Sequence, residues 1–245
     1  MLLWDDSATL LHPQAISYPE IHVWRAPLTC SPYALAALEA TLSSDEKIRA
    51  ARFHFPRDRD SFIAARGILR QLLAGYAHIP PAKLNFTTGP QGKPFLPAQN
   101  APAPITFNLS HSHGLALYAF AVGRELGIDL EFIRPDISGE EIATRYFAPE
   151  EVAELLALPA EQRPEAFFLC WTRKEAYIKA RGEGLQIPLT TFRVSLTPGQ
   201  PGLLTSPDAS RWTLRALTPG AGYAAALVAE GHDYQLSHWN YHPPS

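Results

Sequence analysis

The sequence predicts an α/β (α+β) chain built as two similar halves, and three observations carry that expectation. Segments with helical spacing alternate with strand-like segments along the chain. RFHFP, beginning at Arg52, and RYFAP, beginning at Arg145, each stand before a predicted long amphipathic helix. GLALYAFAVG (114–123) resembles GYAAALVAEG (222–231), and each would close the strand set of its half. Matches this short also arise by chance. Read as a repeat, they divide the chain into halves 1–123 and 124–245, joined near 122–127, with a shared site drawing residues from both.

In chain order, IHVWRAPL (21–28) reads as a strand. SPYALAALEATLSSDEKIRAARF (31–53) sets Leu35, Leu38 and Leu42 at helical spacing, and its Ser-Ser-Asp-Glu reads as the cap of a restarted helix. RDSFIAARGILRQLLAGYAHI (59–79) is an amphipathic helix with Phe62, Ile63, Leu69, Leu72 and Leu73 on its apolar face. TTGPQGKPFLP (87–97) is a loop of turn residues. ITFNLSHS (105–112) and GLALYAFAV (114–122) are strands around a polar turn, and LGIDLEFI (126–133) is another. ISGEEIATRYF and PEEVAELLAL, within 137–158, are helical. RPEAFFLCWTRKEAYIKARGEGL (163–185) is the strongest helix, with Gly182 and Gly184 as stops. FRVSL, WTLRALT and GYAAALVAEG read as strands, and NYHPPS as a tail.

The 245 residues are 46 % hydrophobic, enough for a substantial core. A net charge of −3 supplies no global basic field, so no nucleic-acid partner is expected. Cys30 and Cys170 lack metal-type spacing, and a reduced cytoplasmic protein fits them better than a disulfide. MLLWDDSATLL has acids where a secretory leader has Lys or Arg, and no stretch approaches the roughly 20 apolar residues of a spanning helix. A soluble cytoplasmic protein without a membrane partner is expected.

Asp129 and Glu131 lie two apart on a predicted strand, so they project from one face while Ile128 and Leu130 project from the other. Paired carboxylates repel, and a hard divalent cation such as Mg²⁺ removes the conflict. From spacing alone, a strand end with two solvated acids is the more ordinary reading. In WTRKEAYIK (171–179), Glu175 and Lys179 share a helix face. A surface ion pair is the ordinary reading, but Phe167, Phe168, Trp171, Tyr177 and Ile178 surround it with residues that favour burial. Gly92-Lys93-Pro94 could hold a lysine for a phosphate, although it lacks a full phosphate-loop pattern. In Asn108-Leu109-Ser110-His111-Ser112-His113, adjacent Ser and His have the wrong geometry for a triad and suit anion donors better.

GKP, FNLSHS, GIDLE and WTRKEAYIKARGEGL, in that order, make the chain resemble the 4′-phosphopantetheinyl transferases. The likeness is to the larger, surfactin-synthetase-activating type and runs from about Ser43 to about Leu189. It implies two α/β halves related by a pseudo-twofold axis, a pseudo-dimer, with coenzyme A in the cleft. It implies Mg²⁺ held by Asp129, Glu131 and Glu175, and Glu175 as the base for a serine hydroxyl on an apo carrier protein. Lys179 would stabilise the departing 3′,5′-ADP, and Asp129 counts with Glu175 and Lys179 as catalytic. Arg49, Lys93, Pro94, Ser110, His111 and Lys179 would contact coenzyme A, so Lys93→Ala should mainly raise the coenzyme A requirement. Glu46 stands where some relatives carry a second basic residue; Arg52 or Arg70 could replace it at the 3′-phosphate. A monomer is expected, docking its carrier through apolar residues near 137–158. The competing functions are a non-catalytic coenzyme A-binding module, a metal-dependent phosphodiesterase or nuclease, and a scaffold without chemistry.

Overall fold

The computed structural model describes residues 4, 13, 15–89, 92–97, 104–137 and 139–243. MLLWDDSATLL apart from Trp4, the end of NYHPPS, and Pro90 and Gln91 of the loop at 87–97 lie outside the described residues.

The first half contains β1 (Glu20–Pro27), α1 (Pro32–Ala40), α2 (Ser44–Ala50), α3 (Pro56–Ala77), the short β2 (Thr87–Thr88) and β3 (Pro94–Phe95), then β4 (Ile105–Ser112) and β5 (Leu115–Val122). β6 (Leu126–Phe132), α4 (Glu140–Tyr146), α5 (Pro149–Ala157), α6 (Arg163–Arg181), the short β7 (Arg193–Val194) and β8 (Leu204–Thr205), β9 (Trp212–Leu217), β10 (Tyr223–Glu230) and β11 (Gln235–Asn240) follow. Local chemistry sets the ends. The Ser31 hydroxyl accepts the Ala34 amide at the start of α1. Glu46 reaches back to the Ser43 amide at the start of α2, which is the restart read from Ser-Ser-Asp-Glu. α6 stops where Gly182 turns left-handed, at φ 71°.

The strands form two principal sheets, in the orders β11-β1-β5-β4 and β6-β10-β9. Without β11 the orders correspond: β1 to β6, β5 to β10, β4 to β9. In both, the central strand is antiparallel to its neighbours, and the two central strands are the GLALYAFAVG and GYAAALVAEG segments. β11 runs parallel to β1, so the last strand of the chain completes the first sheet, and a single cut at 123/124 does not sort the strands. RFHFP and RYFAP differ in one respect from their reading. Pro56 opens the long α3, whereas Pro149 opens the nine-residue α5, and the long α6 begins at Arg163.

Side-chain alternation builds four layers. Ala116, Tyr118 and Phe120 of β5 face the core shared with α1 and α3. Leu117, Ala119 and Ala121 face the other way, meeting Leu126, Ile128 and Leu130 of β6 and Ala225, Leu227 and Ala229 of β10 between the sheets. Ala224, Ala226 and Val228 of β10 pack under α6. In the register of β6 with β10, Asp129 lies opposite Ala226 and Glu131 opposite Ala224. Both carboxylates are therefore on the α6 face, as their spacing predicts. Gly127 lets α6 approach: a Cβ there would lie 2.8 Å from the Lys179 carbonyl carbon and closer still to the Ala176 oxygen and Ala180 nitrogen.

Candidate active site at the seam between the halves

The edge strands β4 and β6 meet at the seam, and side chains stitch them. The Asn108 amide oxygen accepts the Ile128 N–H at 2.8 Å. The Ser110 hydroxyl donates to Asp129 Oδ1 at 2.8 Å, and the Ser112 hydroxyl donates to Glu131 Oε2 at 2.8 Å. Ser112 Oγ also accepts the Phe132 N–H at 3.1 Å. Positions 108, 110 and 112 share one face of β4 by the same two-residue period that pairs Asp129 with Glu131. Sequence reasoning read the hydroxyls of this run as anion donors and did not foresee that Asn108, Ser110 and Ser112 bind β6; that period was the available signal.

α6 completes the cluster. Lys179 Nζ lies 2.6 Å from Asp129 Oδ1 and 3.3 Å from the Ile128 carbonyl oxygen. Asp129 is 3 % exposed, and its Oδ2 is buried without a hydrogen-bond partner among the described residues. Burial raises the Glu175 carboxyl above the usual carboxylate range; Asp129 and Glu131 push the same way, and Lys179 opposes them. Glu131 is raised for the same leading reason, with Asp129 adding to it and the Ser112 hydrogen bond opposing. The acids thus feel one another's charge. Among the described residues, however, no group of three or more His, Cys, Asp or Glu side chains is gathered as ligands of one metal ion. The cation beside Asp129 is the Lys179 ammonium.

Two adjoining cavities open toward α2. One, of about 390 Å³, is lined by Arg49, Phe62, Arg66, Gly92, Pro94 and His111, among others. A second, of about 610 Å³, is lined by Asp45, Ile48, Arg49, Arg52 and Phe53, so Arg49 belongs to both. The Arg49 guanidinium rests over the Phe62 ring, 5.2 Å from its centre. Desolvation by its neighbours, with the Lys179 charge added, lowers the His111 imidazole below its ordinary pKa, although the residue keeps an exposed edge.

Three sequence expectations need adjustment. Glu46 is no loose acid beside the anion site: Arg66 and Arg70 each pair with it at 2.6 Å. Burial favours its protonated form, but the two guanidiniums prevail and hold its pKa below the ordinary value. Arg70 also lines the Arg49–His111 cavity, but it is 1 % exposed, with Nε on Glu46 and Nη1 on the Pro81 and Leu84 carbonyls, so it offers a phosphate little free surface. Lys93 does not line the Arg49–His111 cavity; its ammonium faces the seam, on the carbonyls of Leu126 and Lys179 and the Glu125 carboxylate. Arg66 does line the cavity and was not singled out; it sits one helical turn before Arg70, on the same face of α3.

Residues 125–228 match the model of the 4′-phosphopantetheinyl transferase superfamily, and residues 28–122 match that of the 4′-phosphopantetheinyl transferase N-terminal region. The chain is 44 % identical to the 4′-phosphopantetheinyl transferase HetI of Nostoc over 222 residues, 91 % of this chain and 92 % of that one. It is 38 % identical to a putative 4′-phosphopantetheinyl transferase of Synechocystis, over 68 % of this chain and 67 % of that one. It is 28 % identical to the 4′-phosphopantetheinyl transferase Sfp of Bacillus subtilis, over 79 % of this chain and 84 % of that one.

Proposed function

The chain belongs to the 4′-phosphopantetheinyl transferase superfamily, and from that premise we propose how its residues divide the work of moving the 4′-phosphopantetheine arm of coenzyme A onto a carrier protein. The observation that carries the assignment is the seam. Glu175 and Lys179 of α6 stand over Asp129 and Glu131 of β6, beside a cavity bearing Arg49 and His111.

The cavity of about 390 Å³ falls within the range of small-molecule sites, and we assign it to the phosphorylated end of coenzyme A. Arg49 supplies a fixed positive charge, His111 an imidazole donor, and Pro94 a rigid apolar wall. Ser110 and Lys179 do not line this cavity; both contact Asp129 at the seam, and Ser110 is the chain neighbour of His111, which does line it.

By chemistry the donor set suits Mg²⁺, although the three side chains are not gathered as ligands of one ion here and would have to close on it. Asp129, Glu131 and Glu175 are hard oxygen donors that repel one another, and Asp129 Oδ2 has no other partner among the described residues. These three side chains would hold the ion; when bound, it supplies positive charge for the pyrophosphate oxygens.

Glu175 takes the proton from the carrier serine. Burial and the neighbouring acids raise its carboxyl in the protein alone, and a Mg²⁺ held by the same three acids would draw it back down. The serine oxygen bonds to the phosphorus that bears the pantetheine arm. The bond from that phosphorus to the bridging oxygen breaks, and 3′,5′-ADP leaves with the electron pair. Lys179 faces the oxygen on which that charge collects. We assign carrier docking to α4 and α5, where Ile142, Tyr146 and Leu156 are exposed, and expect the enzyme to work as a monomer on acyl or peptidyl carriers.

The test is incubation with coenzyme A, Mg²⁺ and a panel of apo carrier proteins, read by intact mass. A phosphopantetheine mass gain on the carrier serine is expected. Hydrolysis of coenzyme A without carrier, or binding without modification of any carrier, would overturn the assignment.

A further inference from the structure

Lys93 sits between β2 and β3, in the first half, yet its ammonium reaches the second. It lies 3.0 Å from the Lys179 carbonyl oxygen, 3.1 Å from the Leu126 carbonyl oxygen and 3.3 Å from Glu125 Oε2. An ammonium has three N–H donors, and three acceptors meet them here. The Lys179 carbonyl belongs to the last turn of α6, where a cation is favoured, and it also accepts the Gly182 N–H at 3.2 Å. Leu126 opens β6, three residues before Asp129. Lys93 therefore ties the end of the helix that carries Lys179 to the start of the strand that carries Asp129. Its neighbours Gly92 and Pro94 line the Arg49–His111 cavity, and Lys93 does not.

We propose that Lys93 is a positioning residue, a latch that fixes the register of α6 on β6, sets the reach of Lys179 to Asp129, and couples that register to the loop bordering the coenzyme A cavity. The inference rests on the assignment of Lys179 and Asp129 to the transfer reaction. It replaces a phosphate-binding role for Lys93 with a structural one that acts through Lys179. The latch orders the catalytic pair, so its loss lowers turnover, whereas loss of a phosphate ligand weakens coenzyme A binding.

Two variants separate these roles. Lys93→Met keeps the apolar stem and removes every donor. Glu125→Lys sets a like charge against Lys93 at a carboxylate that is 50 % exposed, where folding is little affected. Coenzyme A saturation is measured with an apo carrier at fixed concentration, with thermal unfolding as a check. A latch predicts that Lys93→Met lowers kcat by about tenfold or more, as expected when reacting groups are misplaced, with KM for coenzyme A within about threefold. Lys93→Arg, which can still donate to both carbonyls, recovers most of kcat. Glu125→Lys lowers kcat and leaves KM unchanged. The opposite result overturns the latch: KM raised about tenfold by Lys93→Met at unchanged kcat, the pattern of lost uniform binding, with KM lowered by Glu125→Lys. Unchanged kcat in both variants overturns it as well. If Lys93→Met does not fold, Glu125→Lys decides alone, since the two roles predict changes in different constants. Wild-type protein that modifies no carrier removes the functional assignment itself; wild-type turnover with the KM pattern removes only the latch.

Discussion

Gly127→Ala tests how closely α6 must lie on β6. Gly127 is in an extended strand, so alanine brings no backbone strain there, and its whole effect is steric. The new methyl would lie 2.8 Å from the Lys179 carbonyl carbon and nearer still to Ala176 O and Ala180 N. Carbon contacts settle at about 3.5–4.0 Å, so helix and strand must part by about 1 Å. These obstacles are helix backbone, which cannot rotate aside as a side chain can. Overpacking of this kind costs about 1–3 kcal/mol. In a chain of this size each kcal/mol moves the midpoint by about 2–4 °C, so a fall of about 2–12 °C is expected. The same displacement separates Lys179 and Glu175 from Asp129 and Glu131, and a shift of about 1 Å can cost about 10²-fold in rate. The assay pairs calorimetric melting with carrier modification followed by mass. Wild-type melting together with wild-type transfer would refute the close crossing of α6 over β6.

Other outcomes follow from the same geometry. Lys174 Nζ is fully buried, 2.7 Å from Glu151 Oε2, with the Leu189 and Phe192 carbonyls as its other acceptors. Glu151→Ala strands that charge and should cost about 3–5 kcal/mol in denaturant unfolding; a loss below about 1 kcal/mol would contradict the buried pair. Asp208 is pushed upward by burial, but hydrogen bonds from Tyr177, Trp212 and Ser206 prevail and bring its pKa to about 2. Its folded pKa lies below the unfolded value of about 3.9, so its stabilisation is complete above that value and is lost as pH falls through about 2. Melting curves from pH 6 to pH 2 should show Asp208→Asn converging on wild type at the acid end, and a constant gap would contradict the assignment. Mg²⁺ titrated into the coenzyme A complex should release heat that Asp129→Ala abolishes, and equal heats in both proteins would remove Asp129 as a ligand.

Most of what positions the site was legible because it depends on short periods. The two-residue alternation of GIDLE set both acids on one face before any partner was known, and β6 at 126–132 follows the segment read from sequence. Trp171 to Lys179 reads as a packed helix because Phe167, Phe168, Tyr177 and Ile178 leave few positions for solvent, and all four are buried. Long-range pairings were not legible. Nothing in QLSHWN says that it will lie parallel to β1, a partner at the far end of the chain, since either sheet edge could take a strand of that pattern. The contacts of Lys93 were not legible for a related reason. Its loop setting fits a phosphate clamp as well as a latch, and the Lys179 carbonyl it meets here is a partner that no local pattern announces. The function of Glu46 was hidden because its partners Arg66 and Arg70 lie on another helix.

The account depends most on Glu175 acting from α6 on chemistry held at β6. Glu175→Gln preserves shape and hydrogen-bonding capacity while removing the base, so the direct measurement is its single-turnover rate on an apo carrier at saturating coenzyme A, alongside coenzyme A affinity by calorimetry. A fall of about 10²–10⁴-fold in rate, with affinity changed by less than about threefold, is the expected result. A rate within a few-fold of wild type would contradict it.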